Sequence, residues 1–194
     1  MTNIDYVVVR SNRIKLPKSW YEIATELELS EREKTLLSMH FDGYSTLESE
    51  LYMYSKDLTT QWYKLEHSKY SSIVRLYHGS LEYKTYKGDT VKPHIKQRSH
   101  NDNHKNMYLC YSNGEYLHRL KAKIVYRAIG ASMNFRGLVV HHRIINETDT
   151  IQGNSLDNLV VMNELDHAAL HKALDKIADY AQFRNIQLHL PLSV

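Results

Sequence analysis

The stretch GLVVHHRIINE, residues 137–147, runs three apolar residues, Leu138 to Val140, directly into two adjacent imidazoles, His141 and His142, with Arg143 behind them. A strand about to enter a core rarely carries two histidines side by side, so the pair asks for a chemical reason. The residues that follow supply one. A polar loop with Gly153, Asn154, Ser155 and Asp157 leads to a second strand-like run, NLVVM, at 158–162. Asn163 then suits a helix N-cap, with Asp166 three residues on as its partial capping-box partner. On that helix His167 and His171 are four residues apart, which places both rings on one face with Cβ atoms about 5–6 Å apart. The order is strand, loop, strand, helix, with histidines on the first strand and on the helix.

Three neutral imidazoles can hold one divalent metal while leaving coordination positions open, the arrangement of a catalytic rather than a structural site. Open positions can take a phosphate oxygen and the leaving oxygen of a phosphodiester. A fourth histidine kept off the metal, with a proton affinity near neutrality, can deprotonate an attacking water. Because His141 and His142 are adjacent, one can ligate while the other faces substrate.

The rest of the 194-residue chain is consistent with a polyanion partner. Net charge is only +3, but residues 64–127 carry 13 Lys/Arg against 5 Asp/Glu, whereas residues 1–63 carry 7 against 10 and residues 128–194 carry 5 against 7. A single cysteine, Cys110, excludes an intrachain disulfide and a Cys-rich zinc ribbon. No apolar run approaches the length of a membrane span, and the start MTNIDYVVVRSNR lacks the pattern of a secretion signal. A reducing cytoplasm is the expected compartment, that of the host cell if the gene is carried by a phage.

Along the chain, YVVV at 6–9 reads as a strand. A helical region begins near Pro17 and Ser19, with Ile23, Leu27, Leu36, Leu37 and His40 at helical spacing and Gly43 as a stop. Ser45 can cap a second helix through 46–58, and a third is expected over TTQWYKLEHSKYSSIVRLY, 59–77. Alternation of Leu81, Tyr83 and Thr85, a turn at Lys87-Gly88-Asp89 and resumption at Val91 predict a hairpin. Asn113-Gly114 predicts a second tight turn between two strands. From Leu117 the pattern is that of an amphipathic helix ending at Gly130. The expected organisation is therefore a helical module over 1–78 and an α+β domain over 79–194, with a basic, β-rich middle.

The histidines at 141, 142, 167 and 171, with Asn158 in the run DNL, resemble the HNH endonuclease family, whose ββα-metal motif carries a His-His or Asp-His pair, a central Asn and a closing His or Asn. The motif would occupy about residues 137–182, and the likeness extends over about 90–180. The resemblance makes His141, His167 and His171 the metal ligands and His142 the general base. It makes Asn158 the residue that ties the loop between the strands and helps orient the base. The segment EYLHRLKAKIVYRAIG, 115–130, is similar to the helix that precedes the motif in phage and intron-encoded homing endonucleases. Two features depart from parts of the family: the cysteine pairs that some members use for a second, structural zinc are missing, and the loop lacks the Asp-Gly-Asn turn usual in the homing group.

What the resemblance implies is hydrolysis of DNA, most simply double-stranded, leaving 5′-phosphate and 3′-hydroxyl ends, with one metal ion (Mg, Mn, Zn or Ni). One site per chain nicks one strand, so a double-strand break requires a homodimer or two encounters by a monomer. Arg143, His118, Arg119, Lys121 and Lys123 are candidate phosphate contacts, since Arg offers phosphate a bidentate fork and Lys a point charge. Tyrosines 83, 86, 108, 111 and 116, interleaved with Lys, suit either a nucleic-acid backbone or ordinary sheet packing. The segment YEIATELELS, 21–30, resembles the first helix and turn of a helix-turn-helix, with Glu28 where that pattern prefers Gly. A longer register, 29–65, resembles the four-helix type found in sigma factors. The acidic balance of this region instead favours packing or dimerisation. The rival to the nuclease is a DNA-binding regulator whose metal site is structural or degenerate, and an RNA-directed nuclease of the same chemistry is a third reading.

Overall fold

The computed structural model describes residues 4–9, 12–53, 61–66, 71–77, 80–85, 87–92, 95–99, 107–111, 116–131, 136–144 and 148–189. The fold is α+β. Its contacts divide the chain into two compact units, Met1–Tyr44 with Met162–Val194, and Ser45–Val161.

In the first unit, β1 (Tyr6–Val9) and β2 (Asn12–Lys15) form an antiparallel pair with Val7 opposite Ile14. The helical region that follows is two helices, α1 (Trp20–Glu26) and α2 (Glu31–Phe41), rather than one. Each begins with a Ser-x-x-Glu capping box, Ser19 with Glu22 and Ser30 with Glu33, so the second box restarts a helix where a continuous apolar pattern suggested none was needed. Between them the N–H of Leu29 reaches Ala24 O at 2.9 Å and that of Glu28 reaches Thr25 O at 3.0 Å, a Schellman closure. It requires the left-handed conformation at Glu28, whose φ is 52°. The position that a helix-turn-helix reserves for Gly is thus occupied by Glu in the glycine conformation. Glu28→Gly should therefore raise stability by about 1 kcal/mol, read as a higher midpoint in urea at unchanged m.

The long helix α5 (Glu164–His189) packs on α1, α2 and the β1–β2 pair. Leu170, Ala173, Leu174, Ile177, Ala178 and Ala181 form its buried stripe at three- and four-residue spacing. Asn163 caps it as expected, its Oδ1 accepting from the Asp166 N–H at 2.7 Å. Ion pairs tie the same elements together: Arg32 to Asp166 at 2.6 Å and Lys176 to Glu33 at 2.7 Å. Lys176 and the Ser30 cap hold the Glu33 carboxyl down to about 2. A depressed carboxylate stabilises the fold above its unfolded pKa and loses that contribution as pH falls through the folded one. Wild type should therefore lose stability relative to Glu33→Gln between about pH 4.5 and 2. Parallel melts across that window check this, and equal slopes would refute it.

In the second unit, α3 (Leu47–Met53) is capped by Thr46, whose Oγ1 accepts from Ser49 N at 3.2 Å, and not by Ser45, which sits at φ 58°. The helix expected over 59–77 is instead strands: β3 (Tyr63–Glu66) and β4 (Ser71–Tyr77) pair antiparallel, and β5 (Ser80–Lys84) and β6 (Thr90–Val91) extend the sheet in the order β3-β4-β5-β6. Burial in β4 has period two. Val74 and Leu76 are 1% exposed, whereas Ile73 and Tyr77 are 42% and 39% exposed. The serines before them and the β-branched pair Ile73-Val74 favour that pleat over a helix. Opposite the core, the Arg75 guanidinium lies 4.5 Å from the rings of both Trp62 and Tyr77 and pairs with Glu82 at 2.8 Å.

The hairpin over 81–91 is present, with Tyr83 opposite Val91. The second hairpin is not as expected. The strand β8 (Met107–Tyr111) pairs with β7 (Ile95–Ser99), and the chain beyond Asn113-Gly114, a pair outside the described residues, enters helix α4 (Leu117–Ala128). A turn signal marks a reversal, but it does not choose between a strand and a helix as the next element. Helix α4 closes, as expected, at Gly130, whose φ is 77°. Leu117, Leu120, Ile124 and Val125 of α4 share a core with Leu47, Val74, Leu76, Leu81 and Leu159. Tyr83 packs partly buried on this core, Tyr116 stands at the start of α4, and Tyr86 lies outside the described residues. The last strands, β9 (Leu138–His142) and β10 (Leu159–Asn163), pair with each other, and a 3-10 turn at Leu156–Asn158 leads into β10. Among the described residues no helix is long and apolar enough to cross a membrane.

Candidate functional site

Strand β9 ends on His141 and His142, which are 2% and 6% exposed. The pairing of β9 with the start of β10 is locked by Asn158. The Arg143 N–H donates to Asn158 O at 2.9 Å, the Ile144 N–H to Asn158 Oδ1 at 2.8 Å, and Asn158 Nδ2 to Gly153 O at 2.6 Å. One buried amide thus joins the end of β9, the middle of the loop and the start of β10. Its position is fixed locally by the 3-10 turn, which brings the Asn158 N–H to Ser155 O at 3.2 Å.

The side chain beside His142 is a different asparagine. Asn154 is fully buried and its Oδ1 lies 3.2 Å from His142 Nε2. The role given to Asn158 by resemblance is therefore divided: Asn158 ties the loop, and Asn154 meets the ring of His142. The Gly153-Asn154 pair was the available signal, because such pairs mark tight turns, but nothing local says that the Asn side chain turns inward. His118, at the start of α4, is 8% exposed and meets the His142 ring edge-to-face at 4.9 Å, while stacking on Tyr116 at 5.5 Å. Burial pushes His142 down to about 4, opposed in part by the Asn154 hydrogen bond, so the ring is neutral at physiological pH.

Three of the five side chains expected to meet phosphate are turned inward, His118 among them. Arg143 is 2% exposed and donates to Asp157 O at 3.0 Å. Lys121 is 3% exposed and donates to Asn154 O at 2.6 Å. On α4 the correction follows from helical geometry: Lys121 lies among Leu117, Leu120, Ile124 and Val125, all buried, whereas Arg119 and Lys123 are half-buried.

On α5, His167 and His171 are half-buried with ring centroids 4.5 Å apart and Nε2 atoms 3.2 Å apart. Two nitrogens bound at about 2.0–2.1 Å to one tetrahedral ion sit about 3.3 Å apart, so this pair has the bite of a chelate. Burial, reinforced by His171, pushes His167 down to about 4; burial also lowers His171, with Asp175 opposing. Both imidazoles are thus neutral at pH 7, the form a metal requires. As a pair, His167 and His171 offer two neutral imidazole nitrogens to a metal ion. The donors are all imidazole, which suits Zn, Ni, Co or Mn better than Mg on ligand preference.

No protein-family model matches this chain, and neither a curated protein nor a solved structure is significantly similar to it.

Proposed function

We propose that this protein is a metal-dependent DNA endonuclease of the HNH type, in which His141, His167 and His171 hold one divalent ion and His142 is the general base. The observation that carries the reading is the pair of chemically distinct histidine environments: a chelate-like pair on α5, and a separate, buried imidazole on β9 held by an amide. Bound there, the ion would polarise the phosphodiester and stabilise the departing alkoxide.

The chain's own residues do the remainder. His142 is neutral and so able to take a proton, and a phosphodiester anion beside it favours the imidazolium once formed. Asn158 keeps the strand ends in register so that adjacent residues of β9 face different tasks. Arg119 and Lys123, half-buried on α4, remain the candidate backbone contacts within the basic block of residues 64–127.

Supercoiled plasmid in EDTA, then with Mg, Mn, Ni or Zn restored, tests the reading. Nicked circles that form only with metal support an endonuclease. Protein that shifts DNA in a gel yet cuts under no metal supports the regulator instead, and its metal should then change only the melting temperature. Preference for an RNA substrate over duplex DNA would replace the substrate but keep the chemistry.

A further inference from the structure

We propose that Lys121 is a positioning residue for His142, acting through the loop of residues 148–158; its catalytic consequence rests on the nuclease reading above. The geometry begins at Asn154. Its Nδ2 donates to two main-chain carbonyls, Thr148 O at 2.9 Å and Thr150 O at 2.7 Å. Carbonyls only accept, so the amide cannot be flipped, and Oδ1 is the atom that faces His142 Nε2 at 3.2 Å. An oxygen there can only accept as well. Nε2 must carry the proton, and Nδ1 carries the lone pair that can take one. Asn154 therefore selects the tautomer of His142.

Lys121 holds Asn154 from the other side. Its ammonium donates to the Asn154 carbonyl at 2.6 Å, bridging 33 residues of chain from α4 to the loop. Both residues are buried, at 3% and 0% exposure, so the contact is shielded from water. For packing alone an ammonium is a costly choice in an interior lined by Leu117, Leu120 and Ile124, because burial disfavours the charged form. That cost is visible in Lys121 itself, pushed down to about 8 by burial and only partly restored by Asp157. A methionine would fill a similar space without it. What a methionine cannot do is fix the carbonyl of the residue that selects the tautomer.

The experiment compares the full-length wild type with Lys121→Met, Lys121→Gln and His142→Ala by three readouts: thermal melting, 15N-resolved imidazole NMR and single-turnover nicking. The His142 resonance is assigned by its loss in His142→Ala. Lys121→Met should melt at or above the wild-type temperature, while its His142 ring passes from the single Nε2–H form to a tautomer mixture. Its kcat should fall by about 10–100-fold with KM nearly unchanged, and Lys121→Gln, a donor without charge, should lie between. A single unchanged tautomer in both variants overturns the proposal. So does a rise in KM alone, which would make Lys121 a phosphate contact. Should Lys121→Met fail to fold, Lys121→Gln carries the comparison. Should wild type fail to nick, the nuclease reading falls, and the imidazole spectra alone decide the positioning.

Discussion

His142→Ala is expected to lower metal-dependent plasmid nicking by about 10²–10⁴-fold, the range that a positioned general base contributes, with DNA binding and metal binding retained. The specificity of that expectation comes from where the ring sits. His142 is buried, bonded to Asn154, and touched by the edge of His118, so alanine removes the proposed proton acceptor while both histidines of α5 stay in the chain. The same substitution leaves Asn154 Oδ1 without its His142 partner, which costs about 1–3 kcal/mol if no water replaces it. The melting temperature should therefore be measured beside the rate, and assays run well below it. Retention of full cleavage by a folded variant would remove His142 from the mechanism.

His167→Ala and His171→Ala should each weaken divalent-ion binding by at least about 100-fold, more than the 10–100-fold typical of losing a group that only supports a ligand. The two rings are already neutral and 3.2 Å apart, so little rearrangement is needed before a metal binds, and removing either leaves a monodentate site on α5. Calorimetric titration with Zn, Ni and Mn reads the affinity directly. A melting series gives an independent check, because free ion at 100 times its dissociation constant adds about 2.7 kcal/mol to stability. Wild type should show that shift and the two variants should not. If wild type binds no divalent ion at all, the histidines of α5 are a packing pair and the endonuclease reading fails with them.

Much of the architecture was legible because it rests on short-range rules. The helix α4 announces itself by its apolar period and its closing Gly130, and α5 by Asn163 and Asp166. The strand order leading to α5 follows from two apolar runs separated by a polar loop. The misreadings share a cause. Residues 59–77 contain apolar residues that satisfy a helical spacing in isolation, and only a neighbouring strand makes period two the better solution, since β4 is flanked by β3 and β5 on its two edges. Apolar spacing alone is likewise satisfied by a single helix over 17–41, and Glu28 in a glycine conformation is what a sequence pattern argues against.

At the site, the sequence by itself determined which residues are chemically capable: imidazoles in pairs, an asparagine at the entrance of a strand, and helical spacing that puts His167 beside His171. These depend on covalent order and on dihedral preferences within a few residues. The tertiary structure alone decided which way the polar side chains face. Lys121 and Arg143 read as solvent-exposed phosphate contacts until partners 33 and 14 residues away offer them carbonyls inside the fold. Asn154 reads as a turn residue until the end of β9 brings His142 to its amide oxygen, 12 residues away in the chain. A buried hydrogen bond is worth forming only where folding has already removed the competing water, and the removal of water is a property of the packed chain rather than of any segment in it.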